Sequence, residues 1–459
     1  MEDSRRPAPT RPPRAPRPAP TGRERTGAEP LDVYLFPAVV GGGLGDIEEV
    51  LSAGRVLARR PGVHLRLLRG PGRPLPRDVE GPWDWPPIER LDRPRPMAPR
   101  ALTISAEWGV SAAPERPEPL GRAGPWAWES AAVERAYGAG SVLHLSLEEF
   151  ARTLTSAEES FERFREGGVP VRAIPARLAS ASGREDLARF RAAYRRFRGF
   201  DRPNLLSVFA TFRPSTAFAR EYPEAVQTGP LWPGRARARP HTPRARVEWL
   251  WYASPASAAG MVGPIDRALA QLPHPPRVSV RSPRPLPLPS DGDRWVALGP
   301  EPPDGWATRF GDADLRIVTG SRTLLEALEV GGPFLYYNGV VGQGRSRRRH
   351  RPEKVVALLE AWRADGVGRT VARDLRDFAG GRAIGRIARR AACDPEFAVG
   401  FPDGWRPRGF RPPFDDAGRF LLDVAGRWAE GVEEAAPFTA AVRARGRAAF
   451  RSSRSSFEV

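Results

Sequence analysis

The stretch TGSRTLLEALEVGGPFLYYNG, residues 319–339, leads from a loop of small residues into a helix and then into an apolar strand. The apolar segment just before it predicts a further strand, so the local order is strand, loop, helix, strand. Such a unit favours two parallel strands joined by a right-handed crossover. Small residues where a helix begins let backbone N–H groups approach an anion, so this stretch is a candidate phosphate site.

A similar unit lies near the start of the chain. LDVYLFPAVV (31–40) predicts a buried strand, GGGLGD (41–46) a glycine-rich loop, the residues after it a helix, and VHLRLLRG (63–70) the next strand. The loop lacks the spacing of a nicotinamide-binding fingerprint, and no P-loop lysine follows it. A tight turn without a ligand therefore remains an alternative.

Three glycines of this loop, Gly42, Gly43 and Gly45, are candidate contacts for a phosphate or for an acceptor substrate. Asp46, which ends the loop, has an alternative role as the N-cap of the helix that follows.

The length of 459 residues favours two domains, because a single core rarely exceeds roughly 250–300 residues. We predict an α/β protein with two Rossmann-like lobes, a cleft between them and a disordered tail. The predicted parts are a Pro- and Arg-rich tail (1–29), an N-terminal lobe (30–234), a linker (235–246), a C-terminal lobe (247–400) and a helical segment that packs back on the lobes (401–459).

The net charge of +18 comes almost entirely from arginine, since Lys354 is the only lysine. No aromatic RNA-binding motif or zinc-finger spacing accompanies it, so we expect no nucleic-acid partner. Cys393 is the single cysteine, which excludes an intramolecular disulfide and fits a reducing compartment. No apolar run is long enough for a transmembrane helix, and we expect a cytoplasmic protein.

The helix after the second loop carries two further candidates. Gly320, Ser321 and Thr323 would form a cradle for a diphosphate at its start. Glu326 lies one turn further along the same face, where its carboxylate would reach ribose hydroxyls. The alternative for Glu326 is a solvated side chain on an amphipathic helix. His144, in a predicted strand, is more simply explained as a buried structural histidine than as a catalytic base.

DADLRIVTGSRTLLEALEVGGPFLYYN resembles the C-terminal lobe signature of GT-B glycosyltransferases, in particular glycosyltransferase family 28, which contains the lipid-linked N-acetylglucosaminyltransferase of cell-wall synthesis. The loop GGGLGD is similar to that family's GGTGGH, and AVQTGPLWPG to its TGNPVR. The matching positions of the C-terminal signature are Gly320, Thr323, Glu326, Gly331 and Pro333.

The resemblance implies a hexosyltransferase that uses a nucleoside-diphosphate sugar such as a UDP-sugar. Thr323 and its loop would contact the diphosphate, and Glu326 the ribose. Gln343 is what remains of the family's Gln-rich sugar-binding pattern, and Asp46 stands where the family has its candidate base histidine. We expect no metal and no cofactor.

The acceptor would be a cell-envelope glycan, a lipid-linked molecule or a small molecule, with peripheral contact at the inner face of the membrane as an option. Two alternatives keep the fold: a nucleotide-sugar 2-epimerase or hydrolase, and a catalytically silent binding protein.

Overall fold

This computed structural model describes most of the chain outside its first 27 residues. The described residues are 28–36, 45–68, 89–91, 93–106, 126–148, 191–192, 195, 199–212, 215–232, 247–253, 260–282, 285–290, 292–299, 303–337, 355, 358–359, 362, 369–401 and 416–454. Among them, no helix combines the length and the apolar character that a membrane span requires.

The first sheet is parallel throughout and has the strand order β3-β2-β1-β4-β5-β6-β7. Every residue of β1 and of β6 is buried, as expected for a parallel sheet that is covered on both faces. The strands are β1 (Leu31–Phe36), β2 (Val63–Leu68), β3 (Glu89–Leu91), β4 (Ala101–Ala106), β5 (Val142–Glu148), β6 (Leu205–Ala210) and β7 (Ala225–Thr228).

The second sheet repeats the arrangement with the order β10-β9-β8-β11-β12, again all parallel. Its strands are β8 (Glu248–Tyr252), β9 (Arg277–Arg281), β10 (Trp295–Leu298), β11 (Leu315–Val318) and β12 (Phe334–Tyr336). The predicted α/β class with two Rossmann-like sheets is therefore confirmed.

Helices pack on both sheets. They are α1 (Gly45–Leu57), α2 (Trp126–Tyr137), α3 (Thr216–Glu221), α4 (Val262–Leu269), α5 (Pro303–Asp312), α6 (Gly320–Val330), α7 (Arg369–Ala379), α8 (Ile384–Cys393), α9 (Pro395–Val399), α10 (Ala417–Glu430) and α11 (Ala435–Arg454).

The last two helices belong to the core of the first sheet, although they follow the second sheet in the chain. Phe420, Trp428 and Phe438 are buried in the same apolar cluster as the residues of β1 and β4. The indole Nε1 of Trp428 donates to the carbonyl of Ala101 on β4 at 2.9 Å. The guanidinium of Arg100 lies 4.2 Å from the centre of the Trp428 ring. Burial and a cation–π contact thus fix the C-terminal segment to the first lobe.

Each sheet has one point where the strand order changes direction. In the first sheet it lies between β1 and β4, and in the second between β8 and β11. Helices leave such neighbouring strands toward opposite sides, which opens a crevice at the carboxyl ends of the strands. α1 follows β1, α6 follows β11, and these two helices contact each other. The starts of α1 and α6 therefore lie at the two switch points.

Several elements differ from the sequence-based expectations. The Pro- and Trp-rich composition of residues 71–100 predicts an irregular segment, but these residues contain the short strand β3. The sequence does not predict α2 and α5. α5 begins at Pro303, α9 at Pro395, and α2 directly after Pro125. Proline interrupts a helix interior but suits its first turn, so the prolines did not reveal these helices in the sequence.

Charged segments around 148–166 and 184–198 predict two further helices. Both lie outside the described residues, apart from Glu148, which ends β5, and the helical residues 191–192 and 195.

His144 on β5 is fully buried in a polar network at the first sheet. Its Nδ1 lies 2.6 Å from the hydroxyl of Thr103, and its Nε2 lies 2.8 Å from Glu134 Oε1. The amide of Asn204 also donates to Glu134 Oε1 at 2.8 Å. Burial lowers the pKa of His144, and the hydrogen bond from His144, with that from Asn204, lowers the pKa of Glu134 to about 2. His144 is thus a structural residue.

This network predicts a pH-dependent stability. The folded-state pKa of Glu134 lies below its ordinary 4.5, so its contribution is complete above pH 4.5 and is lost as the pH falls toward 2. Between pH 6 and pH 3 the free energy of unfolding should fall by roughly 1–2 kcal/mol less in Glu134→Gln than in the wild type, where about 2 kcal/mol corresponds to the full pKa shift over this range and partial exposure reduces it. Urea unfolding across that range measures the difference. If the free energies of unfolding of the two proteins change equally with pH, Glu134 is not the source of this pH dependence.

Candidate functional site

The candidate site lies where β11 ends and α6 begins, at the switch point of the second sheet. Asp314 fixes the register here, because its Oδ2 accepts from the backbone N–H of Glu248 at 2.7 Å and its own N–H donates to the Glu248 carbonyl at 2.9 Å. Glu248 begins β8 and Leu315 begins β11, so these bonds join the two strands at their starts. They set the register of the four-residue strand β11, whose carboxyl end, where the loop follows, lies at the crevice between the two strands.

The start of α6 has the backbone of an anion site. Gly320 has φ +83°, a left-handed conformation that side chains disfavour, and a Cβ built there would meet no atom within 4 Å. The preceding residue, Thr319, is extended and makes no side-chain hydrogen bond that caps the helix. The first N–H groups of α6 thus have no cap from Thr319, and no side chain at Gly320 covers them.

Thr323 fixes the junction between loop and helix. It is buried, and its hydroxyl donates to the carbonyl of Thr319 one turn earlier. Since that bond uses the hydroxyl hydrogen, donors to a phosphate at this place would come from the backbone N–H groups. The phosphate contact predicted for Thr323 remains a prediction.

Glu326 lies one turn behind the start of α6, and only 7% of it is exposed. The alternative of a solvated glutamate on an amphipathic surface is therefore wrong. Its Oε1 lies 3.4 Å from Nε of Arg322, which is 6% exposed. The residue expected to bind ribose is thus a buried carboxylate with a buried cation beside it.

Arg316 on β11 fixes the far end of α6. Its Nε donates to the Phe310 carbonyl at 2.7 Å, its Nη1 to the Gly331 carbonyl at 3.0 Å and its Nη2 to the Gly311 carbonyl at 3.1 Å. Burial lowers the pKa of Arg316 to about 10, which leaves it charged at neutral pH. A cation at the C-termini of α5 and α6 also interacts favourably with the helix dipoles.

Sequence reasoning missed both arginines. The signal for Arg316 is a single charge inside the apolar strand LRIV, and the signal for Arg322 is its spacing of four residues from Glu326.

For the other predicted site residues, the structure gives at most a position in a helix. Gly42, Gly43 and Gln343 lie outside the described residues. Gly45 and Asp46 are the first two residues of α1, so Asp46 lies inside the first turn and does not precede the helix as an N-cap would. Ser321 is the second residue of α6.

In the described part of the chain, no group of three or more His, Cys, Asp or Glu side chains is arranged to hold a metal ion.

No family model matches the sequence, and no curated protein matches it significantly. The fold is similar to MurG of Acinetobacter baumannii, with 12% identity, a TM-score of 0.38, and 86% of this chain and 99% of that chain covered.

It is also similar to a UDP-glucosyltransferase from Polygonum tinctorium, with 12% identity and a TM-score of 0.43 over 88% of this chain and 100% of that one. A third similar structure is that of Phytolacca americana UGT2 complexed with UDP-2-fluoro-glucose and pterostilbene. It has 12% identity and a TM-score of 0.47, with 91% of this chain and 100% of that chain covered. At these identities and TM-scores, the similarities carry no argument about the family or the substrate of this chain.

The three hydrogen bonds of Arg316 predict a stability effect. Arg316→Met leaves three carbonyls without this donor, and we expect it to lower the free energy of unfolding by roughly 2–4 kcal/mol. Arg389→Met, at an exposed position on α8, is the matched control and should change it by less than about 0.5 kcal/mol. Urea unfolding compares the two variants. Equal stability of Arg316→Met and the control would show that Arg316 does not hold α6.

Proposed function

We propose that the protein is a glycosyltransferase that moves a sugar from a nucleoside-diphosphate sugar to an acceptor hydroxyl. The observation that supports this most is the start of α6 at the switch point of the second sheet, with Gly320 at φ +83° and the buried carboxylate of Glu326 one turn behind. An anion-binding backbone followed by a buried acceptor of hydrogen bonds suits a diphosphate joined to a ribose.

In this proposal the second lobe binds the donor. The N–H groups of Gly320, Ser321 and Arg322 would hold the diphosphate, and the dipole of α6 would stabilise the charge that develops on it as the sugar leaves. Glu326 would accept from ribose hydroxyls, and Gln343 would contact the sugar. The proposed donor is a UDP-sugar, and these groups would stabilise the leaving diphosphate without a metal ion.

The first lobe would bind the acceptor. Gly42, Gly43 and Gly45 belong to the segment before and at the start of α1, which contacts α6. Asp46 would take the proton from the acceptor hydroxyl, whose oxygen then attacks the anomeric carbon while the diphosphate departs. The acceptors that we propose are a cell-envelope glycan, a lipid-linked molecule or a small molecule, reached from the cytoplasm or at the inner face of the membrane.

Incubation with nucleotide sugars tests this proposal. With UDP-sugars and a panel of hydroxyl acceptors, we expect UDP release that depends on the acceptor and a product heavier by one sugar residue, both followed by chromatography with mass detection. UDP release or sugar isomerisation that is equally fast without acceptor would contradict the transferase and favour the hydrolase or epimerase. No binding of any nucleotide sugar in a thermal-shift screen would favour the silent binding protein.

Replacement of Asp46 tests the proposed base. We expect Asp46→Asn to lower kcat by roughly 10²–10⁴-fold, because the amide cannot accept the proton, while donor affinity stays unchanged. Asp293→Asn, at an exposed turn before β10, is the control and should leave kcat unchanged. Unchanged turnover in Asp46→Asn would remove this residue from the mechanism.

A further inference from the structure

Arg322 is a buried cation in the first turn of α6, where the helix dipole disfavours positive charge. It is the third residue of α6, is 6% exposed, and has a single ion-pair partner in the described part of the chain, Glu326, at 3.4 Å. Within the same part of the chain, none of its nitrogens Nε, Nη1 and Nη2 makes a hydrogen bond. A guanidinium has five N–H donors, so nearly all of its bonding capacity is unused.

This placement is unfavourable by itself. Buried donors without partners are destabilising, and the positive end of the helix dipole repels a cation in the first turn. A locally unfavourable residue of this kind is expected where function requires it. An anion that satisfies several donors at once would compensate for this placement.

The surroundings indicate where such an anion would lie. The N–H groups at the start of α6, which Thr319 does not cap, and the open space beside Gly320 favour negative charge at the same helix end that carries Arg322. The planar fork of a guanidinium matches a phosphate group with two parallel hydrogen bonds. Nε of Arg322 lies 3.4 Å from Glu326, and none of the three nitrogens of Arg322 makes a hydrogen bond in the described part of the chain, so this pair does not use that fork.

We propose that Arg322 is a ligand of the donor diphosphate and that the phosphate replaces Glu326 as the partner of the guanidinium. The carboxylate of Glu326 then accepts from the ribose hydroxyls. This inference rests on the proposed function and adds Arg322 to the donor site. When the donor binds, the ion pair between Arg322 and Glu326 is replaced by a contact from Arg322 to the phosphate and a contact from Glu326 to the ribose of the same ligand. Binding of the phosphates and of the ribose is thereby coupled.

Inorganic pyrophosphate is the probe, because its binding needs neither a nucleobase nor a sugar. We expect Arg322→Gln to weaken pyrophosphate binding by roughly ten- to a hundredfold in calorimetry at low salt. Arg389→Gln, which removes one charge from an exposed position on α8, should leave it unchanged. Glu326→Gln removes the competing carboxylate and should strengthen pyrophosphate binding by about two- to fivefold.

Arg322→Gln is expected to lower the pyrophosphate affinity and Glu326→Gln to raise it. If the two residues formed only a structural ion pair, replacing either one would lower this affinity. Should Arg322→Gln not fold, the double variant Arg322→Gln/Glu326→Gln keeps the pair neutral and should show the same loss. Equal affinity in the wild type and the Arg322 variants, an equal loss in Arg389→Gln, or no binding by the wild type would overturn the inference. If pyrophosphate binding depends on Arg322 while no UDP-sugar is turned over, the proposed function fails and this anion site stands.

Discussion

The parallel ladder between β8 and β11 is the constraint on which the candidate site depends. These two strands pair through Leu315 with Trp249 and Ile317 with Trp251, and on either side of them the strand order runs outward in opposite directions. The connections from the two strands diverge, so the loop after β11 has a crevice above it. The same geometry in the first sheet places the start of α1 at the β1–β4 switch point. The contact between α1 and α6 then joins the two switch points.

Polar side chains with full sets of partners keep this arrangement rigid. Asp314 joins the starts of the two strands through two backbone hydrogen bonds, and Arg316 binds the C-terminal carbonyls of α5 and α6 through three. Buried groups that are fully bonded restrict a structure to one arrangement, whereas buried groups with unused donors mark a place for a ligand. Arg316 and Arg322 illustrate the contrast, since both are buried arginines six residues apart and, among the residues that the structure describes, only Arg316 makes hydrogen bonds.

The sequence was informative where one local pattern decides the structure. The continuous apolar runs at β1, β6 and β8 are typical of buried parallel strands, and residues 416–450 have helical spacing; the structure has strands and helices at these places, because the two element types have distinct periods. Helices that begin at proline were missed, since proline is ambiguous between a loop and a first turn. The burial of Trp428 against the first sheet and of the Arg322–Glu326 pair depends on tertiary packing, which composition does not show. The spacing of four residues indicates that this pair can form but not that it is buried.

The central claim is that a nucleoside diphosphate binds at the start of α6. Hydrogen exchange of the backbone amides, followed by mass spectrometry with and without UDP, tests this claim most directly. The account predicts that UDP slows the exchange of the amides of Ser321 and Arg322 more than that of any amide in α7 or α8, because the phosphate oxygens would accept from them. Slowed exchange elsewhere, with no change over residues 319–323, would contradict it.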